Sequence, residues 1–191
     1  RYLAKNTEQL YSQWLYQEHT KVGLTSATSV RIDNRGMPQK AYSTDMLGNM
    51  VLSVPLSDGQ HLSEVHIDGK PVPSILEEAG FGFIYLPRLD QKIYNVSWSI
   101  SDQPMTHVIQ NKGTYNVYAL DKSDHELKFT IKMYGTQDVH FKVDEGYIAK
   151  TEHPGFKIIH QKYDHESRAL IVTLSGHDIQ GETGQIIIRK Q

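Results

Sequence analysis

At 191 residues, 38% of them hydrophobic and 22% charged, the chain has the make-up of a globular protein with room for one or two domains rather than of a disordered one. A formal charge of -2, with the basic residues scattered, excludes the positive field that gathers nucleic acid or anionic lipid. The absence of cysteine excludes disulfide frameworks and Cys-based zinc sites.

Taken in order, the chain begins at Arg1 without Met, which reads as a processed chain or a piece cut from a longer one. Residues 2–19 are predicted to be a helix. Leu3, Leu10 and Trp14, with Tyr11 and Leu15 on a neighbouring row, make its apolar stripe. Asn6, Gln9, Ser12, Gln13, Gln17 and Glu18 make the polar face, and Gly23 is the stop. The stripe has to be buried, either on the first β-unit or against a preceding domain, and Trp14 is expected to pack at that contact. Leu24–Ser29, small and polar, reads as a hinge.

From Val30 the pattern turns to period two. Strands are predicted at 30–33, 39–44, 50–56, 63–67, 72–76, 82–86 and 92–100. Asp68-Gly69 is the best tight-hairpin signal. In the seventh strand Tyr94, Val96, Trp98 and Ile100 share one face, which predicts a buried Trp98. Ser101–Pro104 divides the chain. Beyond it strands are predicted at 106–110, 114–120, 126–133, 138–143, 147–150, 156–161, 168–174 and 185–189. The longer loops are His153-Pro154-Gly155 and Ser175–Gly184. The longest apolar runs, such as Phe81–Leu86, fall far short of the ~20 residues a membrane span needs, so no span is expected.

The chain also echoes itself. VRIDNRG (Val30–Gly36) returns as HVIQNKG (His107–Gly113), 77 positions on. The same offset lays Met50, Leu52, Val54 and Leu56 on Leu127, Phe129, Ile131 and Met133. After a loss of three residues, EVHIDGK at Glu64 meets DVHFKVDEG at Asp138. Two related β-units in tandem are the expectation. The predicted organisation is a helix and hinge over 1–25, a first β-sandwich unit over 26–103 and a second over 104–191. Strand density and turns every 8 to 12 residues argue for antiparallel sandwiches, and the lack of helical crossovers argues against parallel strands. Strand number alone leaves closure into a barrel open.

Candidate chemistry is sparse. His66 and His140 hold equivalent repeat positions between apolar neighbours, which predicts the solvent face of a strand. His160 and His165 with Asp164, and His177 with Asp178, lie near later strands, but no helical H-x-x-x-H supports a metal site, and no metal or cofactor is predicted. Asp121, Ser123, Asp124 and Glu126 form an acidic turn without the order or glycine of an EF-hand. Glu77 and Glu78 point to opposite faces of a strand and cannot make the facing carboxylates of glycoside hydrolysis. Neither a G-x-S-x-G elbow nor a Gly-rich phosphate loop is present, so no catalytic residue is predicted. Glu152-His153-Pro154-Gly155, and His177, Asp178 and Glu182, are the places where acid-base chemistry could still assemble. Of the eleven tyrosines, Tyr118, Tyr134, Tyr147 and Tyr163 are the candidate sugar platforms, since they are least constrained by the apolar stripes.

A terminal helix, a small polar linker and tandem β-units, with strand-turn pieces such as VHIDGKPV and GFIYLP, resemble the C-terminal accessory region of large secreted bacterial carbohydrate-active enzymes. The resemblance implies an all-β fold of two tandem Ig-like or jelly-roll-like sandwiches after the helix, and a secreted, periplasmic or cell-surface location. It implies a non-catalytic role beside a preceding catalytic domain of a glycoside hydrolase or polysaccharide lyase, with polysaccharide as a further partner. An autonomous carbohydrate-binding module, a surface-adhesion spacer and a small lyase or hydrolase are the alternatives, in that order.

Overall fold

Alternation of apolar and polar side chains puts one face of a strand in a core and the other outside, and strands follow it along most of this chain. The computed structural model describes residues 7–43, 47–176 and 181–190. In order the elements are α1 (Thr7–His19), β1 (Lys21–Ser26), β2 (Ser29–Asp33), α2 (Gln39–Ser43), β3 (Met50–Pro55), β4 (His61–Ile67), β5 (Lys70–Pro71), β6 (Ser74–Glu78), β7 (Phe81–Leu86) and β8 (Ile93–Ser101). There follow β9 (Val108–Gln110), β10 (Asn116–Lys122), β11 (Glu126–Met133), β12 (Thr136–Lys142), β13 (Tyr147–Lys150), β14 (Phe156–Asp164), β15 (Ala169–Gly176) and β16 (Glu182–Lys190). The fold is mostly β, with two short helices and three antiparallel or mixed sheets. Unit 1 takes the chain up to Val72 and Glu77–Pro104; unit 2 takes Pro73–Leu76 and the chain from Met105. Among the described residues no helix is long and apolar enough to cross a membrane.

In unit 1 the strands β1-β2-β8-β4-β5 lie side by side, every pair antiparallel, and β3 pairs antiparallel with β7. Val30 and Ile32 on β2, Tyr94 and Val96 on β8, and Val65 and Ile67 on β4 are buried, as their alternation dictates. Asp68 (φ 49°) and Gly69 (φ 78°) turn β4 into β5 with Ile67 opposite Lys70. Two successive positive φ angles make this the turn whose twist matches the strands. Ala79 (φ 53°) and Gly80 (φ 78°) repeat the device between β6 and β7 without an Asn or Asp to announce it.

Several predicted features of unit 1 come out differently. Leu24–Ser29 is no hinge: β1 runs through Ser26 and turns directly into β2. The strand predicted at 39–44 is the helix α2, seated by Ala41, with Ala41 N–H donating to Pro38 O (3.0 Å). Trp98 is half-buried rather than buried, because the tight packing of β8 ends near Val96. Within the described part of the predicted helix the burial of Leu10, Tyr11, Trp14 and Ser12 is the inverse of the expectation, while Leu15, Gln17 and Glu18 lie as expected. Ser12 (0% exposed), Leu15 and Tyr16 face inward, whereas Leu10 (60%), Tyr11 (41%) and Trp14 (49%) are exposed.

Hydrogen bonding explains the inversion. The backbone leading into β3 has orphan polar groups that water cannot reach, and these must find partners. Gly48 N–H donates to Ser12 Oγ (2.9 Å), Gln13 Nε2 donates to Asn49 O (2.5 Å), Val51 N–H donates to Gln13 Oε1 (3.2 Å) and Tyr16 OH donates to Gly48 O (3.1 Å). This helix therefore buries a mixed face, in which Ser12 and the Tyr16 hydroxyl bond to backbone and Leu15 is enclosed.

In unit 2 two sheets share one core. β10-β11-β16-β13 are antiparallel, as are β14-β15-β12-β9. Phe129, Ile131, Ile186 and Ile188 from the first pack with Val139, Phe141, Leu170 and Val172 from the second. The rings of Phe129 and Phe141 lie 5.3 Å apart at 59°. One pair departs from the antiparallel expectation: β6 runs parallel to β9, with Ile109 N–H donating to Pro73 O (3.0 Å) and Asn111 N–H to Ile75 O (2.8 Å). Parallel neighbours need a long connection, and here strands β7 and β8 supply it instead of a helix.

The strands matched by the 77-residue echo do not hold equivalent places. β2 and β4 both flank β8, whereas their counterparts β9 and β12 pair with each other. β3 pairs with β7, whereas β11 lies between β10 and β16. The echo is one of alternation, which any half-buried strand shares, and not of topology.

Candidate functional site

The four candidate tyrosines are not brought together. Tyr118 lies on β10, Tyr134 after β11, Tyr147 on β13 and Tyr163 on β14, and all are half-buried. The hydroxyl of Tyr118 is buried. Lys132 Nζ stands 5.6 Å from the Tyr134 ring centroid. Tyr147 and Tyr163 pack against the core of unit 2, their rings edge-on to His107 (6.2 Å) and His165 (5.2 Å).

Phe81 at the start of β7 is exposed, and so are Tyr11 and Trp14, which sequence reasoning assigned to packing. Three residues apart on α1, they share a face. Their centroids are 5.6 Å apart and their planes tilted by 31°. Beside them runs a groove of about 440 Å³ whose walls include Trp14, Leu15, His19, Pro38, Lys40 and Ala41. The polar anchors of α1 fix its rotation and so decide that this face turns outward.

Among the described residues three imidazole–carboxylate pairs form, the most exposed being His165–Glu145. In unit 1 His61 Nδ1 donates to Glu77 Oε2 (2.7 Å), while Leu62 N–H donates to Glu77 Oε1 (2.7 Å). Glu77 and Glu78 diverge along β6, one half-buried and one exposed. His61, sixteen positions away, carried no signal in the sequence. The nearby Ser63 hydroxyl pairs with Ser99 Oγ (2.9 Å).

In unit 2 the loops flagged for acid-base chemistry do meet. His153 Nδ1 is 3.6 Å from Glu182 Oε1, both side chains about three-quarters buried. His153 Nδ1 also accepts Gly155 N–H (3.2 Å), and His153 N–H donates to Thr151 Oγ1 (3.2 Å). β16 begins at Glu182 rather than at Gln185, which makes Glu182 part of a strand. Beside the pair is a second groove of about 440 Å³, walled by Thr130, Glu152, His153, Thr183, Gln185 and Ile187.

The remaining histidines scatter. His66 is half-buried on β4. His140, expected on a solvent face, is half-buried on β12 with its Nδ1 fully enclosed and without a hydrogen-bond partner, and burial lowers its pKa. Asp164 is taken by Ser167, whose N–H (3.1 Å) and hydroxyl both donate to it, and His165 approaches Glu145 (3.8 Å). His177 and Asp178 lie outside the described residues. Among the described residues no three His, Asp or Glu side chains are placed to hold a metal ion. A scan against protein-family models and a search of curated proteins find no match for this chain.

Proposed function

We propose that the chain is a non-catalytic accessory module of a larger extracytoplasmic polysaccharide-processing enzyme, docked by the outer face of α1 on the catalytic domain. The reading takes both units as sandwiches, Ig-like or jelly-roll-like; the single core shared by two sheets of unit 2 supports it. The observation that carries the docking is the exposed face of Leu10, Tyr11 and Trp14, next to a groove. Large aromatics in contiguous patches mark interaction surfaces rather than ordinary surface.

Hydroxyl-radical footprinting tests the reading. Leu10, Tyr11 and Trp14 are expected to oxidise readily in the isolated chain and to be protected within the longer polypeptide. The isolated chain is expected to release no reducing ends or unsaturated uronates from plant, algal or host polysaccharides. Equal oxidation in both contexts, or turnover that His153→Ala abolishes, overturns it. A second reading, an autonomous carbohydrate-binding module, draws on the geometry of Tyr11 and Trp14. Protection of those rings in the isolated chain by an oligosaccharide would replace the first reading with the second.

A further inference from the structure

We propose that the groove between the Thr151–Gly155 loop and β16 in unit 2 is a binding site for saccharide. The inference shares the polysaccharide class with the proposed function but none of its residues.

β16 pairs with β13 only over Ile187–Lys190, so its first half is flanked on that side by the Thr151–Gly155 loop instead of a strand. Thr151 Oγ1 donates to Gln185 O (3.0 Å) and ties the loop to this open edge. Two glycines keep the place clear. A Cβ on Gly184, in mid-strand opposite Ile131, would lie 2.6 Å from His153 Cγ, and one on Gly155 would lie 2.2 Å from the Glu182 carboxylate. A strand interior disfavours glycine unless another group must come close. Here the close group is the His153 imidazole.

The hydrogen-bond inventory then selects the ligand. Because Nδ1 of His153 accepts from Gly155, the ring proton sits on Nε2, and His153 is a fixed donor. Glu152 in the wall is an acceptor. Thr130, Thr183 and Gln185 both donate and accept, while Pro154 and Ile187 add small apolar surface. Donors interleaved with acceptors complement vicinal hydroxyls, each of which gives one hydrogen bond and takes another. The volume, about 440 Å³, falls within the ~300–1,000 Å³ of small-ligand sites. Glu152 lies in the wall, and Lys132 and Lys128 stand opposite Thr183 and Ile187 on β11, so charge of both signs lies at the groove.

The test is an amide NMR titration of the whole chain with neutral hexasaccharides of glucose, mannose and xylose, and with hexagalacturonate. One of these hexamers is expected to move the amides of Glu152–His153 and Thr183–Gln185 with a Kd of order 1 mM. Glu152→Gln and Gln185→Ala, both at exposed positions, are each expected to weaken binding about three- to tenfold, the usual effect of one lost hydrogen bond, without changing Tm. The inference is overturned if no hexamer moves these amides or if both variants bind like the parent. None of these results bears on the footprint of Tyr11 and Trp14, so the two proposals fail separately.

Discussion

Asn34 shows how much one polar side chain can hold. It is fully buried, and its Nδ2 is directed at Leu89 O (3.0 Å), Asp90 O (3.0 Å) and Tyr42 OH (3.1 Å), while Oδ1 accepts Thr20 OH (2.5 Å). Read from sequence it is turn punctuation; in the fold it joins the end of α1 to the loop before β8. Asn34→Ala removes these hydrogen bonds, at ~0.5–1.5 kcal/mol each, while Leu89 O keeps Tyr42 OH (2.9 Å) and Asp90 O keeps Lys92 N–H (2.8 Å). A urea titration is expected to show a lower midpoint at unchanged slope.

His140 makes a pH prediction. Burial first, then Lys112, lowers its pKa below the ordinary 6.5, against the weaker pull of Asp138 and Asp164; Lys142 adds to the lowering. The unfolded chain therefore binds a proton that the folded chain refuses. Its contribution is complete above about pH 6.5 and is lost as pH falls from there to the folded pKa. His107, also lowered chiefly by burial, has the same sign. His140→Gln is expected to flatten the fall in stability below pH 6.5, and the imidazole resonances of His140 should titrate below that pH. Titration at or above it would refute the enclosure of Nδ1.

At the scale of elements, the β4–β5 hairpin isolates the cost of a backbone conformation. A Cβ on Gly69 meets nothing within 4 Å, so Gly69→Ala is opposed only by the positive φ. The expected loss is ~1–2 kcal/mol, read from the thermal midpoint. Gly184→Ala is different, since its φ is ordinary and the obstacle is the His153 ring. That variant is expected to displace His153 and to alter the amide shifts of the Thr151–Gly155 loop. Helix α1 was misread in its face because apolar spacing is a sound guide only when the buried surface is apolar. The loop into β3 offers backbone donors and acceptors instead, and Ser12 and Gln13 answer them.

At the scale of the whole molecule, the common core of the two sheets in unit 2 is the feature most open to test. Phe129→Ala and Phe141→Ala are each expected to cost ~3–5 kcal/mol, the range for a large buried aromatic. Since the rings touch across the two sheets, the double variant should lose less than the sum of the singles, by ~0.5–1.5 kcal/mol. Strict additivity in that cycle would refute a shared core. Trp98, only half-buried, is expected to cost less than either.

What the sequence determined by itself is what depends on neighbours along the chain. Period-two alternation placed most strands within a few residues, and Asp68-Gly69 fixed a hairpin, because pleat and turn are set by adjacent dihedrals. Tertiary structure alone decided which strands pair, that β6 would lie parallel to β9, which face of α1 would be buried and where the open rings would be. It also brought His153 to Glu182 and His61 to Glu77. Such meetings depend on long-range burial and on backbone groups seeking partners, and alternation carries no address for either. The echo at 77 residues marks the boundary between the two kinds of information: the same pattern serves strands that occupy different places, because a half-buried strand requires the pattern wherever it sits.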